Sequence, residues 1–252
     1  MVNELRIRAV TGIGEVVQGT DLASLIVDAL NAQGDRLQDG DILVVTQKIV
    51  SKAEGRVVKV DEIEPSPFAE AIAKQGHRDA RHYEVVLRES ARIVRMDRGV
   101  LITETHHGWI CANAGVDESN VAGGRTVTLL PVDSDHSASV IRRAIKERLG
   151  VEVAVIITDT FGRPWRHGQV NFAIGVSGIN AVMDYRGLPD AYGYEMHATA
   201  IAIADELAAA GELVMNKTDQ VPVALIRGYR YEVAEEGSSR QLLRDPAKDM
   251  FR

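Results

Sequence analysis

The chain has 252 residues, 45% hydrophobic and 26% charged, enough apolar material for a substantial buried core in one large domain or two small interlocked ones. A net charge of -7 and an aromatic content of only 5% argue against a protein that wraps nucleic acid through its phosphates. Cys111 stands alone, so no intramolecular disulfide is possible, and neither a signal-peptide core nor a run long enough to span a membrane is present; a cytoplasmic protein is the expectation.

In chain order, Leu5 to Val10 alternates apolar and basic residues as a half-buried strand does. Leu22, Leu25, Ile26, Ala29 and Leu30 recur at helical spacing, with Gly34 as the stop. The apolar run from Asp41 to Thr46 reads as a buried strand. Ser66-Pro67 reads as an N-cap followed by a first-turn proline, opening a helix toward Gly76. Ile93 to Met96 and Val100 to Thr103 flank Asp97-Arg98-Gly99, the pattern of a hairpin. Thr126 to Leu130 predicts a strand, and His136 to Leu149 a helix that presents Val140, Ile141, Ala144, Ile145 and Leu149 on one face and ends at Gly150. Val153 to Thr158 and Asn171 to Ser177 predict further strands, Ala198 to Ala210 an alanine-rich helix, and Val221 to Ile226 a late strand. No structure is predicted for the polar last fifteen residues. The class is mixed α and β, and strand order is not readable from the pattern.

Four polar or glycine-rich segments lie at strand ends, where loops are well placed to hold ligands. Thr11-Gly-Ile-Gly-Glu-Val16 could bring backbone N–H groups close to a base or phosphate; it lacks the third glycine of a dinucleotide fingerprint, and an ordinary turn is the plainer reading. In the segment from Thr46 to Arg56, Lys48, Lys52 and Arg56 recur every four residues, as suits a polyanion or merely a solvated basic face. The chain has no G-x-x-x-x-G-K-[ST], so any nucleotide site is not a P-loop. The segment from Trp109 to Asn120 combines small residues with Asp117 and Asn120, oxygen donors of the kind Mg²⁺ and Mn²⁺ prefer, or equally turn-forming Asx residues. The segment from Ile156 to Gly168 places Asp159 and Thr160 at the end of an apolar strand, followed by Arg163 and Arg166 as candidate clamps for phosphate or carboxylate, with Trp165 either a stacking surface or core. His106-His107 cannot converge on one ion from a strand and reads as a surface loop. Asp184-Tyr-Arg-Gly187 with Asp190 and Glu195 fits either turn chemistry or a lid.

Taken together, these segments resemble the coenzyme F420-0:L-glutamate ligase (gamma-glutamyl ligase) family. The matching segments are Asp39 to Thr46, Val50 to Arg56, Cys111-Ala-Asn-Ala-Gly-Val-Asp117, Leu130-Pro131, Thr158-Asp-Thr-Phe-Gly-Arg-Pro-Trp-Arg166, Asp205-Glu-Leu, Glu212 to Met215, Pro222 and Ile226-Arg-Gly228, in order over nearly the whole chain. The resemblance implies a mixed α/β (α+β) fold peculiar to the family, in an intertwined homodimer. It implies one ligase domain over residues 1–252, with no flavin-binding domain after it such as two-domain relatives carry. GTP serves as co-substrate with Mg²⁺ or Mn²⁺, a monovalent cation is admitted beside them, and F420-0 and L-glutamate are the other substrates. By motif position, Asp117, Asp159 and Thr160 would hold metal. Gly14, Glu15, Val16, Val17, Gln47, Lys52, Asn120, Met215, Asn216, Lys217 and Thr218 would contact GTP. Asp117, Asp159, Lys52, Arg163 and Arg166 would carry the chemistry, and Cys111 would be structural. Gln47 stands where the family usually has serine, and the segment after Met215 lacks the acidic metal ligand of some relatives. The rival expectations are a ligase of the same type for another acidic acceptor and a GTP-binding module without turnover.

Overall fold

The computed structural model describes residues 4–121, 124–235 and 237–250. Strand β1 (Arg6–Val10) leads through a loop to helix α1 (Leu22–Ala32), which opens on Asp21; the Asp21 carboxylate accepts from the Ser24 N–H. Strand β2 (Ile42–Thr46) is buried on both faces and runs straight into α2 (Gln47–Ala53). A second group follows: β3 (Val57–Lys59), α3 (Pro67–Ala73), α4 (Ala80–Arg88), β4 (Ser90–Asp97), β5 (Val100–Thr105), β6 (Ile110–Ala112), β7 (Asp117–Val121) and β8 (Gly124–Thr128). The chain then forms α5 (Ser134–Leu149), the long strands β9 (Ala154–Arg163) and β10 (Arg166–Ser177), the short pair β11 (Met183–Asp184) and β12 (Ala200–Ile201), α6 (Ile203–Met215) and β13 (Val223–Arg227). The structure is mixed α and β.

The central sheet has the order β1-β13-β2-β9-β10. All its neighbours are antiparallel except β2 and β9, which run parallel from Ile42 opposite Ala154 to Thr46 opposite Thr158. Helices cover both faces, which is why β2 and the first half of β9 read as unbroken apolar runs. On one face Leu43, Val45, Val155 and Ile157 meet Ile26 and Leu30 of α1 and Ile141 and Ile145 of α5. On the other, Ile42, Val44, Ile156 and Ala224 meet Ala204, Leu207, Ala208 and Met215 of α6. Gly211 lets α6 approach closely: a Cβ there would lie 2.9 Å from Val44 Cγ1. A separate core of Val60, Ile72, Tyr83, Val86, Leu101 and Val127 holds α3, α4 and the sheets β3-β8-β7 and β4-β5-β6.

Several expectations meet the structure directly. Ser66 accepts from the Ala69 N–H and Pro67 occupies the first turn of α3. Arg98 and Gly99, both at positive φ (49° and 78°), turn β4 into β5, as a two-residue hairpin of the right twist requires. Others shift. On α5, Val140 and Leu149 are exposed (47% and 40%), because the inward stripe also carries Arg142, whose guanidinium is held by Glu152, Glu235 and the Val153 carbonyl. The alanine-rich helix begins at Ile203 rather than Ala198, since Ala200–Ile201 is taken up by pairing with Met183–Asp184. Helix α4 is not foreseen by the apolar pattern, and the last residues contain two short 3-10 turns, Ser239–Leu242 and Pro246–Lys248.

Because the α6–sheet approach leaves no room for a side chain, Gly211→Val should lower stability by about 1–3 kcal/mol through overpacking against Val44. Urea unfolding of the two proteins checks this; an unchanged midpoint would mean that α6 can slide away at no cost.

Candidate active site

The parallel pair ends its two strands at the same edge, and ligands in such sheets gather beyond the strands' carboxyl ends. A cleft of about 540 Å³ opens there. The loop Ile13-Gly-Glu-Val16 and α2 line one side, Asp117 comes from the start of β7, and Thr158, Asp159 and Thr160 form the floor. Asn171, Glu212, Asn216, Lys217 and the segment Gln220-Val-Pro222 close the other side.

Asp159 is the most perturbed carboxyl in the cleft. Desolvation by the surrounding protein pushes it up to about 6, and repulsion from Asp117 adds to that; the Thr160 N–H, Lys217 and Lys48 pull the other way. Asp117 itself is held by Lys48, with Nζ 2.6 Å from Oδ2. Across the floor, Lys217 Nζ donates to Thr160 Oγ1 at 2.7 Å and lies 3.0 Å from Glu212 Oε1. Thr160 Oγ1 donates to Asn171 Oδ1, and Asn171 Nδ2 donates to Glu212 Oε2. Lys52 faces Glu15 at 3.8 Å. The lining thus sets three lysines, 48, 52 and 217, against four carboxylates, 15, 117, 159 and 212, for a formal balance of -1. A polyanion alone would gain little from such a cleft; a polyanion arriving with divalent cations would match it.

The backbone at the cleft is strained. Asn113, Ala114 and Gly115 stand consecutively at positive φ (53°, 53°, 68°), the turn that delivers Asp117. Asn216 (φ 52°, ψ 178°) and Gln220 (φ 55°) do the same for the facing wall. Non-glycine residues in these regions cost on the order of 1–3 kcal/mol each and persist where the surroundings over-determine them, often at functional sites.

Of the residues singled out from sequence, Gly14, Glu15, Val16, Gln47, Lys52, Asp117, Asp159, Thr160, Asn216 and Lys217 line this one cleft. The amide oxygen of Gln47 accepts from Ser51 Oγ at 2.8 Å, so its side chain is engaged within α2. Val17 is 62% exposed outside the lining, Met215 is buried in the α6 core, and Thr218 bonds Asp219. The Asn120 side chain lies outside the described residues. Arg56 does not join Lys48 and Lys52: it is drawn off by Glu89 and the Leu130 carbonyl. Arg163 and Arg166 sit beyond the cleft, at the turn between β9 and β10, with Trp165 between them at φ 56° and 81% exposed, hence not core. The Cys111 thiol is buried and pushed up to about 12, which removes it as nucleophile or thiolate ligand. His106 and His107 occupy a turn and bond backbone carbonyls, of Arg88 and of Pro131 and Val132. Glu212 and Asn171 are the residues sequence reasoning passed over. Their only signals were an acid in the last turn of an alanine-rich helix and a lone amide heading an apolar strand.

A protein-family profile described as F420-0:Gamma-glutamyl ligase matches residues 12–228. The chain belongs to that family. It is 46% identical over 245 residues to a protein named Coenzyme F420:L-glutamate ligase from Methanothermobacter thermautotrophicus, covering 96% of this chain and 97% of that one. It is also 46% identical over 252 residues to the protein of that name from Methanopyrus kandleri, at 98% of each chain, and 41% identical over 244 residues to that from Archaeoglobus fulgidus, at 96% and 94%. Chain lengths that agree this closely align the whole cleft with family members, not a fragment of it.

The family resemblance carries divalent metal with it, and the donor set of this chain fits. Asp159 is a desolvated carboxyl beside a second one, a repulsion that a cation would relieve, and the neighbouring donors are hydroxyl and carboxylate oxygens suited to Mg²⁺ or Mn²⁺. Among the described residues no three His, Cys, Asp or Glu side chains converge on one point, so phosphate and water oxygens would have to complete the coordination. Lys48 and Lys217 hold Asp117 and Thr160 in the meantime.

The Asp159 shift has a stability consequence. With its carboxyl raised from 3.8 to about 6, the neutral form is the comfortable one when folded, so stability from this group is present below about pH 4 and lost as pH rises through 6. In metal-free protein, Asp159→Asn should be more stable than the parent at pH 8, by on the order of 2 kcal/mol, and the gap should close by pH 4. Urea unfolding at both pH values tests this, and an equal gap at the two would refute the burial of charge at Asp159.

Proposed function

We propose that the protein is a GTP-dependent ligase that joins L-glutamate to coenzyme F420-0 and releases GDP and phosphate. The observation that carries this reading is the paired Asp117 and Asp159 at the end of the parallel strands, inside a cleft whose charge balance calls for a polyanion accompanied by cations. Family membership and full-length likeness to proteins named Coenzyme F420:L-glutamate ligase support the substrate class.

A carboxylate is a poor acyl donor, and amide formation needs it activated. The terminal carboxylate of F420-0 attacks the γ-phosphorus of GTP, giving an acyl phosphate and GDP; the glutamate amine then displaces phosphate and the amide forms. Asp117 and Asp159 would hold the divalent cation, whose charge would offset that developing on the transferred group. The chain's own residues do the rest. The Ile13-to-Val16 loop and the 215–222 segment hold the nucleotide from two sides, and Lys52 supplies a fixed positive charge beside the phosphates. Asp117, Asp159 and Thr160 would hold the metal, and Lys48 and Lys217, which pair with Asp117 and with Thr160 and Glu212, offer their ammonium groups to phosphate oxygens. No covalent nucleophile is required, in keeping with the protonated Cys111. We further propose that the protein works as a homodimer, a reading supported by the apolar side chains that the β4–β5 hairpin leaves open: Val94, Met96 and Val100 are 41%, 44% and 53% exposed.

Purified protein supplied with F420-0, GTP, L-glutamate and Mn²⁺ should yield an acceptor heavier by one or more glutamyl units, with matching GDP. Asp117→Asn and Asp159→Asn should each lower kcat by about a hundredfold or more while leaving the circular-dichroism spectrum unchanged. Mass spectrometry of the acceptor reads both. Near-parental turnover in the two variants would overturn the metal assignment, and GTP binding with no mass gain would overturn the acceptor.

A further inference from the structure

A second cavity, about 430 Å³ in volume, lies beside the β9–β10 turn, next along β9 from the residues that line the cleft. Its walls are unusually aromatic for a chain with so few aromatic residues: Trp109, Phe161 and Phe172, the last two stacked at 5.8 Å between centroids and 24° between planes. The C-terminal segment closes it, with Leu243 packed within 3.0 Å of where a Cβ on Gly108 would be. Arg163 also lines it. Its Nη1 is buried without a hydrogen-bond partner, and among the described residues no carboxylate pairs with its guanidinium. Of the other charged groups on the wall, Glu104 is held by Arg92 at 2.7 Å, Asp205 accepts from the Ala173 N–H, and Arg244 and Asp249 come from the C-terminal segment. A buried guanidinium nitrogen left unpaired is costly and favours an acceptor oxygen placed against it, most of all a charged one.

The cavity and the cleft draw on the same strand. Side chains alternate along a strand, so Asp159, Phe161 and Arg163 project from the same side of β9, and Phe172 is the direct cross-strand partner of Asp159. At about 3.3 Å per residue, Phe161 stands roughly 7 Å and Arg163 roughly 13 Å along β9 from the metal-holding carboxylate. A ligand lying along this face would have its far end over aromatic rings and its near end at the site of phosphoryl transfer.

We infer that this second cavity is the acceptor site: it takes the planar ring system of an anionic acceptor between Trp109, Phe161 and Phe172, with Arg163 as its counter-charge, and directs the acceptor's carboxylate along β9 toward Asp159. The inference rests on the ligase reading above and assigns Arg163 to the acceptor rather than to the phosphates of GTP. Flat anionic rings are well served by this chemistry, since a guanidinium can pair with the anion while aromatic faces stack on the ring.

The test uses full-length protein with F420-0 and GTP as probes. Arg163→Gln and, as a cavity-filling variant at an exposed strand position, Ile110→Trp are compared with the parent for KM of each substrate; quenching of Trp109 emission by F420-0 is read for the parent and Arg163→Gln, both carrying Trp165→Phe. Both variants should raise the KM for F420-0 by about ten- to a hundredfold, with KM for GTP within about twofold. The quenching seen with the parent should be lost in step for Arg163→Gln. Unchanged acceptor KM in both variants overturns the site while leaving the ligase reading intact, and so does a rise confined to GTP, which would give the cavity to the nucleotide. A parent protein that neither binds nor extends F420-0 overturns the ligase reading itself and this inference with it.

Discussion

Thr46 lies opposite Thr158 in the one parallel pairing of the central sheet, and the placement of every reacting group follows from that register. Parallel neighbours must be joined by a crossover, and here the crossover is residues 47–153, which contain α2 to α5 and six strands rather than a single helix. Two consequences follow. Both strands deliver their carboxyl ends to one edge, so the residues leaving β2 and the acid ending the apolar part of β9 face a common space. The crossover itself returns to that space, because β7 begins at Asp117 and the consecutive left-handed residues 113–115 turn the chain toward it. Two carboxylates 42 positions apart thereby meet, one from the sheet and one from the inserted second core.

The cleft sets Lys48, Lys52 and Lys217 against Glu15, Asp117, Asp159 and Glu212. Each lysine already has an oxygen partner: Lys48 on Asp117, Lys52 near Glu15, Lys217 between Thr160 and Glu212. Partly exposed pairs of this kind are worth little individually and exchange partners readily. Asp159 differs. It is desolvated and close to another acid, so its charge is the costly one in the cleft and a cation beside it would favour the ionised form. Holding these groups in place is rigid backbone at uncommon φ, at Ala114 on one wall and Asn216 and Gln220 on the other.

Elements with a strong local signature were legible before any coordinates: the Ser66-Pro67 cap, the Arg98-Gly99 turn, the buried runs of β2 and β9. Helix α4 was not, because its sequence ARHYEVVLR buries His82 and Tyr83 alongside Val85 and Val86, a stripe that half hides among polar letters. Val140 and Leu149 were misassigned for the converse reason, since an arginine at position 142 claims the inward direction by finding Glu152 just past the helix and Glu235 far away in the chain. In the site, Asp117 and Asp159 stood out through recognisable motifs, whereas Glu212 was masked as a solubilising acid on a helix and Asn171 as the polar start of a strand. Neither could be read without knowing that α6 and β10 meet.

The arginines of the Asp159-to-Arg166 run illustrate what sequence adjacency conceals. In one dimension they follow Asp159 closely and look like phosphate ligands. In a strand pair, distance accumulates at about 3.3 Å per residue and facing alternates, so four residues move a side chain roughly 13 Å along the sheet. Thr158 and Thr160 then serve the wall shared with Asn171 and α6, while Asp159 and Phe161 serve the opposite one, where Phe172 stacks. One strand thus contributes to two cavities, Asp159 to the first and Phe161 and Arg163 to the second, and a condensed motif in the sequence becomes an axis that joins their walls.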